Sequence, residues 1–320
     1  MKDSQIRTNS FQAWLLAARP KTLSGAAVPV MLGAALALKD CGIGNFQFVP
    51  AVLCFLFAFI MQIDSNFIND YFDCVKGNDD SATRLGPKRA CAEGWITLPA
   101  MRQGLVMTTL AGCLVGLPLI FYGGIQLIIV GILCVIFAFL YTTKLSYLGL
   151  GDVLVLVFFG IVPVCLTYYV ILPPEDQTIT TEVFLASAAC GLVIDTLLLV
   201  NNYRDRDNDR RDGKRTLVVR IGAVAAEQLY LWTGVVASVI MFTIEFSAIG
   251  ADHPTSTSIW IAATAAVSVL LYLLFHINTW REMKRIHAGS GLNKVLGKTA
   301  RNMFVFGLFH SLTLILIYAL

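Results

Sequence analysis

Two short stretches of this chain carry oxygen ligands at helical spacing. Residues 66–73 read NFINDYFD; at about 100° per residue, Asn66, Asn69, Asp70 and Asp73 fall within an arc of about 100°. Residues 201–209 read NNYRDRDND and put Asn201, Asn202, Asp205 and Asp209 on one face. Asp195, two turns deeper, projects onto that second face, whereas Asp207 does not, and Asp64 lies opposite Asp73. Gly77 breaks the first helix and lets Asp79 fold back towards the same place.

Carboxylates crowded on one face repel each other, and a divalent cation removes that repulsion. Oxygen donors of this kind suit Mg²⁺, which takes one or two carboxylates and completes its shell with substrate phosphates. Two such faces opposite each other clamp a diphosphate, with nearby Arg and Lys taking the remaining negative charge. The plainer alternative is that helix ends at a membrane surface simply carry solvated acids. That explains scattered acids, but not two Asn-and-Asp stripes of matching spacing that each follow a long apolar run.

The elements that must hold these faces are apolar. The 320 residues are 57% hydrophobic and 14% charged, where a soluble domain is about a quarter charged. Nine runs have the length of a membrane span: 22–38, 48–69, 102–121, 125–142, 152–171, 183–203, 223–246, 257–277 and 302–320. The expected fold is therefore one all-α integral membrane domain over 1–320, with about nine transmembrane helices around a central cavity. With a cytoplasmic N-terminus, 23 of the 24 Lys and Arg fall in or at the edges of 1–21, 70–102, 143–151, 204–222 and 278–301, and only Lys39 falls outside. That asymmetry predicts N-in, C-out, with both acidic stripes on the cytoplasmic face. Segments 70–101, 204–222 and 278–301 are longer than a connection needs and form a polar cap.

The net charge of +3 reflects this topology, and no basic patch interleaved with aromatics points to nucleic acid. The eight cysteines lack a CxxC pair and histidine partners at metal spacing, so neither zinc nor a disulfide is expected. A diphosphate clamp at the mouth of an apolar cavity suits a lipid diphosphate with its tail among the helices. If the tail is allylic, departure of diphosphate leaves a delocalised cation, which survives where water is excluded and an electron-rich ring is near. That is prenyl transfer to an aromatic acceptor.

The chain resembles the UbiA superfamily of intramembrane prenyltransferases, and within it the branch that prenylates 1,4-dihydroxy-2-naphthoate. The matching stretches are RPKTL (19–23), NDYFDCVKGND (69–79), RLGPKR (84–89), YLGLGDVLVLVFFG (147–160), NNYRDRDNDRRDGKRTLVVRIG (201–222) and LNKVLGKTA (292–300). The resemblance implies that Asn69, Asp73, Asp205 and Asp209 hold Mg²⁺ and diphosphate, with Asn202 beside them. The superfamily's usual third acid falls on Gly77, and its role passes to Asp79 in the G-x-D of this branch. Lys144 resembles the basic residue of the fourth-span loop, and Arg84, Lys88, Arg89, Lys214 and Arg215 are similar diphosphate contacts around the cap.

The resemblance further implies a polyprenyl diphosphate donor and an acidic acceptor that loses CO₂, giving demethylmenaquinol in a bacterial inner membrane. Arg19 or Lys21 pairs with the acceptor carboxylate, or serves positive-inside topology alone. Asp152 contacts acceptor hydroxyls or caps its helix, and Asp195 accepts a ring-hydroxyl proton or is a paired interior carboxyl. Asp64 and the four histidines read as structural, and Tyr168 and Tyr169 as an interfacial belt. The rivals are a prenyltransferase acting on 4-hydroxybenzoate, a lipid phosphotransferase and a cation transporter. The absence of a DG-x₂-AR run argues against the second, and the placement of the acids at one face argues against the third.

Overall fold

The structure, a computed structural model, describes residues 6–77, 84–141, 145–249 and 255–320, without the side chains of Lys21 and Thr255. Among the described residues it is helical, with no strand. A short α1 (Phe11–Ala18) precedes α2 (Leu23–Asn45), α3 (Phe48–Val75) and α4 (Leu98–Gly116). Next come the one-turn α5 (Ile120–Gly123), α6 (Leu127–Leu140) and α7 (Gly151–Val155), which runs through a π segment (Leu156–Ile161) into α8 (Val162–Ile171). The chain ends with α9 (Thr181–Arg211), the short α10 (Leu217–Ile221), α11 (Ala223–Ser247), α12 (Thr255–Ile286) and α13 (Leu292–Ala319).

Among the described residues, eight helices are long and apolar enough to cross a membrane. In the ninth expected span the described α-helix is α6, with 14 residues, about 21 Å at 1.5 Å per residue against a hydrocarbon core of about 30 Å. By contrast α3 has 28 residues and α9 has 31, or about 42 and 46 Å. Both therefore exceed the hydrocarbon thickness, and each acidic stripe lies in the last turns of its helix.

The largest core lies where α2, α8, α9, α11 and α13 meet, around Leu36, Val164, Val193, Met241 and Phe306. Among helices that lipid would solvate equally well, close packing and buried polar contacts decide who neighbours whom. Gly160 in the π segment faces Gly191 of α9, where a Cβ would lie 2.4 Å from the Gly191 Cα, so the two backbones touch. Asp64 accepts hydrogen bonds from Thr108 (2.5 Å) and Thr109 (3.0 Å), tying α3 to α4 on the side away from the acidic stripe. His276 is stacked beside Tyr230 and Tyr272, and His310 and Glu245 pair at 2.7 Å inside the bundle. Tyr168 departs from the interfacial reading: it is buried and donates to Asp40 at 2.7 Å, part of a cluster with Lys39 and Glu182.

Candidate functional site

α6 buries none of its residues. It stands off from the bundle and leaves a cavity of about 640 Å³ bounded by α2, α3, α6, the π segment with α8, and α9. The body of this cavity is apolar, lined by Phe57, Met61, Phe137, Phe158, Leu166 and Leu197. Leu117, Ile128 and Ile132 line it and are also exposed on the outer surface, so it opens sideways between the end of α4 and α6.

The other end is polar, and both acidic stripes reach it. From α3 come Asn66, Asn69 and Asp73, and from α9 Asn201 and Asn202. Arg19, Arg84, Arg89 and Lys214 line the same end. Arg19 is placed by a left-handed turn (φ 50°) between α1 and the Pro20–Thr22 turn. Asn66 fixes that turn by donating to Ala18 O and to Thr22 Oγ1, each at 3.0 Å. Asn66 therefore braces the wall that carries Arg19 as well as sharing the acidic face.

Asp73, Asp205 and Asp209 each meet a cation of the chain. Arg89 Nη2 donates to Asp73 Oδ2 at 3.1 Å. Arg204 grips Asp205 with two bonds, Nε to Oδ1 at 2.8 Å and Nη2 to Oδ2 at 2.6 Å. Lys214 Nζ lies 3.7 Å from Asp209 Oδ1. Part of the expected carboxylate repulsion is thus relieved by the protein itself. Asp70 belongs to the same arc but is fully buried outside the cavity wall, where its Oδ2 accepts the Ala90 N–H at 3.1 Å. That bond ties α3 to the cap, while Asp70 Oδ1 is buried without a hydrogen-bond partner.

Other expected site residues separate. Lys88 is exposed and pairs with Glu93 at 3.4 Å, and Arg215 is exposed; neither lines the cavity. The physical reason is that the turn at Gly86–Pro87 and the end of α9 aim only alternate basic residues inward. Asp205 and Asp209 do not line the cavity, which their stripe reaches through Asn201 and Asn202. Asp152 and Asp195 likewise lie off the wall, close enough to each other to interact electrostatically. Asp79, Lys144 and the Lys21 side chain fall outside the described residues.

The donor set fits a hard divalent cation. Asp209 Oδ2 is buried and has no hydrogen-bond partner, and Asp205 and Asp212 lie within electrostatic reach of Asp209, as do Lys214 and Arg204. Among the described residues no three Asp, Glu, His or Cys side chains converge, so a cation here would draw on one or two carboxylates and on phosphate oxygens.

Sequence reasoning misses three residues here. Arg204 reads as one more cytoplasmic arginine, yet it is 3% exposed; its only signal is its position directly before Asp205. Tyr147 lines the cavity with Lys76 4.8 Å and Lys214 5.9 Å from its ring centre, joining the ends of both motifs by cation–π contacts. Tyr141 lines the wall within electrostatic reach of Asp73, Asp152, Asp195 and Asp209.

This arrangement has counterparts. The chain is 38% identical over 239 residues to 1,4-dihydroxy-2-naphthoate octaprenyltransferase of Escherichia coli, covering 72% of this chain and 74% of that one. Its fold is similar to that of a UbiA homolog from Aeropyrum pernix (TM-score 0.65, 16% identity, 91% and 97% of the two chains). It is also similar to a UbiA homolog from Archaeoglobus fulgidus solved bound to GPP and Mg²⁺ (TM-score 0.59, 15% identity, 95% and 99%). Because the family model for these enzymes matches residues 26–290, from α2 through both motifs to the end of α12, the chain belongs to the UbiA prenyltransferase family.

Proposed function

We propose that this enzyme transfers a polyprenyl group from an allylic polyprenyl diphosphate to 1,4-dihydroxy-2-naphthoate, releasing diphosphate and CO₂ and giving demethylmenaquinol. The observation that carries this reading is the joining of a two-motif polar mouth to an apolar cavity open at its side. The chemistry Mg²⁺ supplies when bound is neutralisation of the diphosphate and of the charge that grows on it as the C–O bond breaks. Asn69, Asp73, Asp205 and Asp209 would hold it, with Asp79.

Arg84, Arg89 and Lys214 bind the remaining diphosphate charge from the cap side, and Asn202 orients an oxygen by donating from its amide. The apolar body takes the tail and excludes water, so that the allylic cation meets the ring before it meets solvent. The acceptor carboxylate pairs with Arg19 on the opposite wall. When the ring carbon bearing the carboxylate captures the cation, CO₂ departs and the C–C electron pair restores the aromatic ring. Asp152 and Asp195, which interact with each other but do not line the cavity, are the candidates for contact with the acceptor's hydroxyls. The same reading makes the chain one membrane domain of a bacterial inner membrane, with its mouth on the cytoplasmic side where 23 of 24 Lys and Arg collect.

The test uses purified protein in vesicles with a polyprenyl diphosphate and either 1,4-dihydroxy-2-naphthoate or 4-hydroxybenzoate, with Mg²⁺ or EDTA. The expected result is prenylated quinol and CO₂ from the naphthoate alone, lost in EDTA. Asp73→Asn and Asp205→Asn should each reduce turnover about a hundredfold or more. Product from 4-hydroxybenzoate alone would overturn the acceptor, and full turnover in EDTA would overturn the metal.

A further inference from the structure

Arg204 is 3% exposed, and a buried guanidinium is tolerated only where its donors are met. Four of its five N–H bonds are used. Nε and Nη2 grip Asp205, Nη2 also donates to Asn201 Oδ1 at 2.8 Å, and Nη1 donates to Asn293 Oδ1 at 2.9 Å. Neighbouring residues on a helix do not normally face each other, so a two-bond grip between Arg204 and Asp205 requires both side chains to be drawn to one side.

What draws them is the cap. Asn293, in the first turn of α13, donates from Nδ2 to Leu85 O at 2.8 Å. Gly86 then lies directly against the guanidinium: a Cβ there would sit 2.7 Å from Arg204 Nη2, 3.1 Å from its Cζ and 3.3 Å from Arg84 Nη2. Arg84 in turn donates from Nε to Pro87 O at 2.8 Å. One side chain of α9 therefore meets the second acidic motif, the start of the last helix and the strap that carries Arg84 and Arg89 to the cavity mouth.

We propose that Arg204 is a positioning residue that latches the cap strap (84–89) to the second acidic motif. It orients Asp205 and Asn201 from behind the cavity wall and holds Arg84 and Arg89 over the diphosphate. It does not touch the substrate. The proposal rests on the diphosphate-clamp reading for its kinetic consequence, but not for the latch itself. A flat five-donor fork spans Asp205, Asn201 and Asn293 together, which the point charge of a lysine cannot do.

The experiment uses the full-length protein in nanodiscs and three variants, Arg204→Lys, Asn293→Ala and Gly86→Ala. Hydrogen exchange followed by mass spectrometry reads the strap, and steady-state kinetics with farnesyl diphosphate reads KM and kcat. Arg204→Lys should speed exchange across 84–89 and raise KM for farnesyl diphosphate about tenfold, while exchange around the Tyr230–His276 stack stays unchanged. Asn293→Ala cuts only the tie to the strap, so it should speed the same exchange with a smaller rise in KM, about threefold. Gly86→Ala should behave like Asn293→Ala. Should Arg204→Lys fail to fold, the other two variants still decide the matter. Unchanged exchange at 84–89 in all folded variants would overturn the latch, as would a uniform rise throughout the bundle. If the parent turns over no prenyl diphosphate, the functional reading fails while the exchange data still judge the latch.

Discussion

The two acidic motifs match in spacing and differ in how they are held. In the first, α3 stops at Val75 and turns at Gly77 (φ +72°), and its acids are met from a distance. Arg89 reaches Asp73 across 16 residues and Ala90 N–H reaches Asp70 across 20. In the second, α9 runs on to Arg211 and the partners are local: Arg204 beside Asp205, and Lys214 near Asp209 with its N–H on Asp209 O at 2.8 Å. The second motif's carboxylates find their cations within α9 and the turn after it, although Asn293 closes over Arg204 from α13, whereas the first motif's carboxylates find their partners in the cap. A stripe of acids read from helical period is thus a description of ligand supply, not of what keeps the ligands in place.

The largest effect expected from this difference is at Asp70, which has no equivalent in the second motif. Removing its side chain leaves the buried Ala90 N–H without an acceptor, costing about 1–3 kcal/mol. Asp70→Ala should lower the thermal unfolding midpoint in detergent, while kcat per folded molecule stays within about threefold of the parent because no ligand contact is lost. Asp70→Asn, which keeps an acceptor, should recover most of the stability. A collapse of kcat without loss of stability would place Asp70 among the ligands and remove the distinction between the motifs.

The first motif's dependence on the cap can be sharpened through its cations. Arg89→Gln breaks a 3.1 Å contact to Asp73 made by a side chain that is 11% exposed, so kcat/KM should fall about tenfold. Lys214→Gln breaks a 3.7 Å contact made by a side chain that is 28% exposed, and the fall should be about threefold. Steady-state kinetics on both variants, with the same polyprenyl diphosphate, compares them. Equal losses, or a larger loss at Lys214, would mean that the two motifs lean on their cations alike.

Much of this was legible from residue order because it depends on local period and composition. The apolar runs, the shared face of Asn69 and Asp73, and the clustering of basic residues at one end all follow from rules that act within a few residues. What escaped depends on contacts across long separations. Asp70 falls on the right arc, and only its meeting with Ala90 turns it away from the cavity. Arg204 looks like any basic residue after a span until Asn293, 89 residues on, closes over it. Lys88 and Arg89 are neighbours of like charge, and the turn after Pro87 decides which of them faces inward. Composition likewise predicts that 125–142 spans the membrane, and the α-helix described there has 14 residues, none of them buried, beside the cavity.

The smallest expected effect uses a further feature the motifs share, a glycine just past each helix. Gly77 and Gly213 both stand at φ +72°, and a Cβ at either would meet nothing within 4 Å. Substitution by alanine therefore carries no clash at either site, only the cost of a left-handed backbone, about 1 kcal/mol. Gly77→Ala and Gly213→Ala should lower stability equally, and asparagine at either position, which tolerates that backbone better, should cost less. The kinetics need not be equal. Gly213 precedes Lys214, whose N–H is already fixed by Asp209 O, whereas Gly77 precedes the stretch that carries Asp79. A rise in KM for the prenyl diphosphate of about threefold for Gly77→Ala, with none for Gly213→Ala, is the outcome expected if the first motif depends on its following segment. Matching KM values in the two variants would show that the helix stop matters only for stability, and would leave Arg89 and the cap as the whole of the difference.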